Sequence, residues 1–266
     1  MSTILDTIVA QRRKDVAAAS AAFPARELER LVAAAPAAID IVARLRVEAP
    51  MAVMAEVKRA SPSKGDIAPG IDAAEQALRY AEGGAAAISI LTEPTWFKGT
   101  LDDMRCARQR LGALGKARPA VLRKDFIVDA YQVLEGRVHG ADSILLIVAC
   151  LDDRSLQELI ACSRGLGMEP LLEVNSAGEM QRAVAAGAVF IGINNRDLRD
   201  FSVDLGTTDR LAALAGPGVF LAALSGIQAR DDVMRFDEAG CGAVLVGEAL
   251  MTSGDPAARI RELVGK

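Results

Sequence analysis

Eight short runs rich in valine, isoleucine and leucine recur along the 266 residues, at 52–58, 86–92, 120–124, 143–148, 170–174, 189–194, 219–225 and 243–247. Most are apolar throughout rather than alternating, the pattern of parallel strands covered on both faces. Helical patterns follow each of them, at 73–82, 101–111, 130–137, 154–166, 177–186, 208–215, 229–238 and 256–263. Asp255 before Pro256 reads as an N-cap with proline at the first helical position, and Gly83, Gly140, Gly187 and Gly240 read as helix stops. Eight β-α units in strict alternation predict an α/β chain folded as a (β/α)8 TIM barrel. A doubly wound open sheet would carry a G-x-G-x-x-G loop after its first strand. Here that strand runs into Arg59-Ala60-Ser61-Pro62-Ser63-Lys64-Gly65.

Before the first strand, Ile4, Leu5, Ile8, Val9, Leu28, Leu31 and Val32 recur at helical spacing. Residues 1–50 are therefore expected to form a helical extension, two helices laid on the barrel, within a single domain over 1–266. An uncharged stretch at 211–229 is long enough to be tested as a membrane span. Gly216-Pro217-Gly218 interrupts it, so a helix end, a turn and a buried strand fit better, and no membrane partner is expected. Asp6 and the basic residues Arg12, Arg13 and Lys14 arrive before any signal-length apolar segment, which points to a reduced, cytoplasmic setting.

Composition then narrows the chemistry. Lys plus Arg number 31 against 35 Asp plus Glu, a net charge of -4 that argues against nucleic acid as a partner. His139 is the single histidine, so multi-histidine metal sites are excluded, and its place before Gly140 reads as a helix end. Cys106, Cys150, Cys162 and Cys241 are far apart and form no C-x-x-C. Proton chemistry falls to carboxylates and lysines, with no metal or cofactor expected.

In a barrel of this type the site lies at the C-terminal strand ends. Five of those ends carry groups foreign to a core: Glu56 and Lys58, Lys124, Glu173, Asn194, and Ser225. Alternation puts Glu56 and Lys58 on one face. Any one of these residues could be a rim ion pair, but burying so many charges on one face without use would cost several kcal/mol per ion. Gly226 after the seventh strand, and Gly247 with Glu248 after the eighth, stand where backbone N–H groups can receive a phosphate. Glu248 is expected to turn its side chain away from such an anion.

The stretches Glu56-Val57-Lys58-Arg59-Ala60-Ser61-Pro62-Ser63-Lys64-Gly65, Leu122-Arg123-Lys124-Asp125-Phe126, Leu172-Glu173-Val174, Gly192-Ile193-Asn194-Asn195-Arg196-Asp197-Leu198 and Gly247-Glu248-Ala249-Leu250-Met251 resemble indole-3-glycerol-phosphate synthase of tryptophan biosynthesis. The resemblance covers nearly the whole chain. It implies a cofactor-free carboxy-lyase acting on a phosphosugar carrying an anthranilate, with possible association with other tryptophan-pathway enzymes. It also implies Lys124 as acid, Glu173 as base, Lys58 on the substrate carboxylate, and Glu56, Asn194 and Ser225 as supporting groups. Ser61, Phe97, Phe126 and Arg196 would bind substrate, and Gly226, Gly247 and Glu248 the phosphate. Burial and Lys58 are expected to lower the Lys124 pKa, with Glu56 opposing them. One position departs from the family pattern: Leu224 stands where an acid usually precedes the serine, so Leu224→Glu is expected to raise turnover if the enzyme is inefficient. Another phosphosugar barrel, an aldolase using Lys124 as a Schiff base, and an inactive paralogue remain as alternatives.

Overall fold

The computed structural model describes residues 3–266. Its barrel strands are β1 (Ala52–Val57), β2 (Ala87–Leu91), β3 (Ala120–Lys124), β4 (Ser143–Ile147), β5 (Leu171–Val174), β6 (Phe190–Asn194), β7 (Phe220–Leu224) and β8 (Ala243–Val246). Each pairs in parallel with its sequence neighbours, and β8 returns to β1 through Ala52↔Ala243, closing the barrel. The expected (β/α)8 fold is the observed one, with strand limits within a residue or two of those read from hydrophobicity.

Side-chain alternation sorts the strands into two apolar layers. Met54, Leu122, Leu145, Leu171, Phe190 and Leu245 belong to one cluster inside the barrel. Val53, Val121, Ile144, Leu172, Ile191 and Val244, each one residue away, belong to the layer beneath the helices. Because the period is two, Glu56, Lys124, Glu173 and Asn194 share the inward parity of the first group. This places charged groups inside the barrel without disturbing the sheet.

Helices α4 (Ala73–Glu82), α5 (Leu101–Gly112), α6 (Ala130–Val138), α7 (Asp153–Gly165), α8 (Ala177–Ala185), α9 (Gly206–Ala212), α10 (Arg230–Glu238), α11 (Glu248–Met251) and α12 (Pro256–Val264) complete the wall. Asp72, Thr100, Asp129, Asp152, Ser176 and Asp255 cap six of them by accepting backbone N–H bonds. Gly83 is the C-cap of α4, as expected, and Gly84 beyond it takes the left-handed conformation at φ +92°.

The extension holds three helices rather than two: α1 (Ile4–Ala22), α2 (Ala25–Ala34) and α3 (Ile41–Arg46). The last spans six residues, too few for a periodic signal, yet buries Ile41 and Leu45 completely. Residues 211–229 form the end of α9, a turn with Gly216 and Gly218 at positive φ, and β7. Among the described residues no helix is long and apolar enough to cross a membrane.

Candidate active site

A pocket opens at the C-terminal ends of the strands and is lined by the side chains that sequence placed there. Glu56, Lys58, Lys124, Glu173 and Asn194 all reach it, joined by Ser61, Phe97, Phe126, Arg196, Ser225, Gly226, Gly247 and Glu248. Two ion pairs organise its polar part. Lys58 Nζ lies 2.9 Å from Glu56 Oε1, and Lys124 Nζ lies 3.4 Å from Glu173 Oε2. Asn194 donates its amide to the other Glu173 oxygen at 2.9 Å, and Ser89 donates to Glu56 Oε2 at 3.4 Å.

Burial makes these pairs consequential. Glu56 and Glu173 are buried, and both retain cationic neighbours at hydrogen-bonding range. Burial by itself would raise the Glu56 pKa, but Lys58, Lys124 and the two hydrogen bonds outweigh it and hold the carboxyl below its usual value. Burial would also lower the Lys124 pKa, yet the Glu173 and Glu56 carboxylates outweigh it and hold the ammonium above the usual lysine value. This reverses the downward shift expected from sequence. The reason is the pairing across the barrel with Glu173, which the reading from sequence did not count as a neighbour of Lys124.

Part of the pocket wall is aromatic. Phe97 and Phe126 sit with ring centroids 6.0 Å apart, tilted by 44°. Two buried carboxylates that sequence reasoning left without roles set this wall. Glu93 accepts N–H bonds from Thr95, Trp96 and Phe97 at 2.9, 2.7 and 3.0 Å, folding the loop that presents Phe97. Gly99 follows, and a Cβ there would lie 1.9 Å from the Leu91 carbonyl oxygen. Asp125 accepts from the Phe126 N–H, Thr92, Arg123 and the Nε and Nη2 of Arg12 on α1. Asp125 was not legible as a clamp because Arg12 lies 113 residues away, and Glu93 was not because its nearby partners are backbone N–H groups.

At the end of β7, Ser225 has φ +65° and Gly226 φ +84°. A non-glycine residue in that region carries strain of order 1–3 kcal/mol. Asn195 holds it: its Nδ2 donates to the Ser225 carbonyl at 3.2 Å, while its Oδ1 accepts from Thr208. Gly247 leaves no space for a side chain, since a Cβ would lie 2.8 Å from Glu56 Oε1. The Glu248 carboxylate pairs with Lys64 of the loop after β1 at 3.3 Å. Arg196 spends its guanidinium on the Phe201 carbonyl at 2.9 Å and still lines the pocket. Leu224 is buried, lines the pocket and packs into the space a Gly192 side chain would need. His139 caps α6 through the Glu135 carbonyl, as its position before Gly140 foretold. Among the described residues no group of three or more His, Cys, Asp or Glu is placed to hold a metal ion.

Fold and site together define a (β/α)8-barrel protein whose strand-end pocket carries two lysine–glutamate pairs beside an aromatic wall. The family model of indole-3-glycerol phosphate synthase matches residues 5–263, and the chain belongs to that family. It is 55% identical over 268 residues to a multifunctional tryptophan biosynthesis protein of Phanerodontia chrysosporium, covering 98% of this chain and 34% of that one. It is 45% identical to an indole-3-glycerol phosphate synthase of Mycolicibacterium vanbaalenii, over 99% of this chain and 94% of the other. The chain thus spans about a third of the length of the multifunctional relatives and nearly all of the bacterial one. Among solved structures, a thiamine phosphate pyrophosphorylase of Pyrococcus furiosus matches with a TM-score of 0.62 at 17% identity, over 84% of this chain and 96% of that one. At that identity the likeness is one of fold.

Proposed function

We propose that this chain converts 1-(2-carboxyphenylamino)-1-deoxyribulose 5-phosphate into indole-3-glycerol phosphate, carbon dioxide and water. The observation that carries the reading is the convergence of two lysine–glutamate pairs with Phe97 and Phe126 on one pocket, in a chain of this family.

The chemistry follows from the donors present. The aromatic carbon that bears the carboxylate bonds to the ketone carbon, and Lys124 protonates the ketone oxygen as it becomes a hydroxyl. Its ammonium is held charged by Glu173, so the proton is in place when the substrate arrives. The bond to the carboxylate then breaks, its electrons return to the ring, and Lys58 balances the charge until carbon dioxide leaves. Glu173 next removes the anilino proton while the hydroxyl departs as water with a proton from the lysine pair. Glu56 and Asn194 orient the lysines and Glu173. Ser225, Gly226 and Gly247 suit the phosphate, and Ser61 and Arg196 the sugar. A Schiff-base role for Lys124 is disfavoured by the same charge, since the nucleophile must be the free amine. The names of the multifunctional relatives support association with other tryptophan-pathway enzymes.

The test is the appearance of indole fluorescence when purified protein meets the carboxyphenylamino substrate, with Lys124→Ala and Glu173→Gln as controls. A silent wild type would overturn the activity; variants that match wild type would overturn the roles.

A further inference from the structure

Adjoining the main pocket is a second, smaller cavity of about 50 Å³ that also has Glu173 in its lining. Glu173, Ile147 and Leu198 line both, so they form the partition between them. Leu5 of α1 adds an apolar wall, and Ala149 and Arg199 lie exposed on its rim. The rim at Ala149 is braced, because Arg182 donates to the carbonyls of Val148 and Leu151 at 3.0 and 2.5 Å. Asn175, Glu179 and Asp197 contribute polar groups along the wall. A cavity needs roughly 10–15 Å³ and two to four polar partners per water, so this one has room for about three.

We propose that this cavity is a solvent port through which Glu173 exchanges its proton while substrate or product fills the main pocket. The inference rests on the reading of Glu173 as the base. Once Glu173 has taken the anilino proton, its O–H bond breaks toward a water in the cavity, a neighbouring water releases a proton at the rim, and the carboxylate is restored. No other reactant is needed. The port serves a group that is 2% exposed and otherwise faces a pocket filled by the ligand.

Ala149→Phe plugs the rim at an exposed position that touches none of the groups assigned to the reaction. Restoration of Glu173 comes after decarboxylation, the first irreversible step, so kcat and KM fall together and kcat/KM stays unchanged. The expected drop in kcat is about tenfold, a part of the 10²–10⁴ that a proton-transfer group typically contributes, with a larger solvent deuterium isotope effect on kcat. Leu5→Ala widens the same cavity and leaves kcat at or above wild type. The port is overturned if Ala149→Phe leaves kcat unchanged, as direct return of the proton to Lys124 would require, if kcat/KM falls in step with kcat, or if Leu5→Ala lowers kcat equally. Glu173→Gln separates the two readings. Full activity in that variant removes the base itself, whereas its inactivity beside an unaffected Ala149→Phe removes only the port.

Discussion

Lys124 and Glu173 face each other across the barrel at 3.4 Å, from strands β3 and β5, which are separated by β4 and are not hydrogen-bonded partners. The inward parity of both strands aims the two side chains at one point, and Asn194 on β6 fixes the carboxylate from its other oxygen. An acid and a base held this way can act in sequence on one substrate without either moving far.

This pairing predicts a pH signature. Glu173 raises the Lys124 pKa, so its removal lowers it. In Glu173→Gln the alkaline limb of residual kcat/KM is expected to move to lower pH, because an opposite charge at this distance favours the ammonium. An unmoved limb would show that Lys124 does not titrate in the rate.

Gly247→Ala should remove most activity while leaving the barrel folded. The new methyl would meet Glu56 Oε1 at 2.8 Å and Lys58 Nζ at 3.2 Å, so the ion pair must shift. A loss of about 10²-fold in kcat/KM with a melting temperature within a few degrees of wild type is expected, because misplacement by about 1 Å costs that much.

Arg12→Met should destabilise the protein by about 3–5 kcal/mol, since it removes a buried partner and leaves Asp125 less compensated. Urea unfolding of wild type and variant measures this directly. Burial opposes the charge on Asp125, but Arg123, Arg12 and Thr92 hold its pKa below the usual 3.8. A carboxylate depressed in the folded state stabilises fully above its unfolded pKa and loses that stability as pH falls through the folded value. The wild-type contribution is therefore full above about pH 3.8, begins to fall below it and is gone only below the lower folded-state value, and the gap between wild type and Arg12→Met should narrow over that range.

From sequence, Leu224→Glu is expected to raise turnover if the enzyme is inefficient. Leu224 packs among apolar residues including Leu171 and Leu245, over Gly192, which argues the other way. The variant is expected to lose activity and about 1–3 kcal/mol of stability, the measured range for burying a polar group without a partner. A gain in kcat would show that a lysine reaches the new carboxylate.

Much of the candidate site is legible in the sequence. Glu56, Lys58, Lys124, Glu173 and Asn194 stand out because charged residues at the ends of apolar strands conflict with burial, and only a pocket reconciles the two. The clamps were not readable. Arg12 and Asp125 are separated by 113 positions, and Glu93 looks like any loop acid until its three N–H donors are seen.

Sequence by itself determined the order of eight β-α units, the inward face of each strand and the residue types available for proton transfer, since these depend on local periodicity and composition. Only the tertiary structure decided which charge neutralises which. Closure of the barrel set Glu173 rather than Lys58 as the neighbour that governs Lys124, and so reversed the sign of its pKa shift. Pairing energies depend on distance through space, which hydrophobic patterning does not encode.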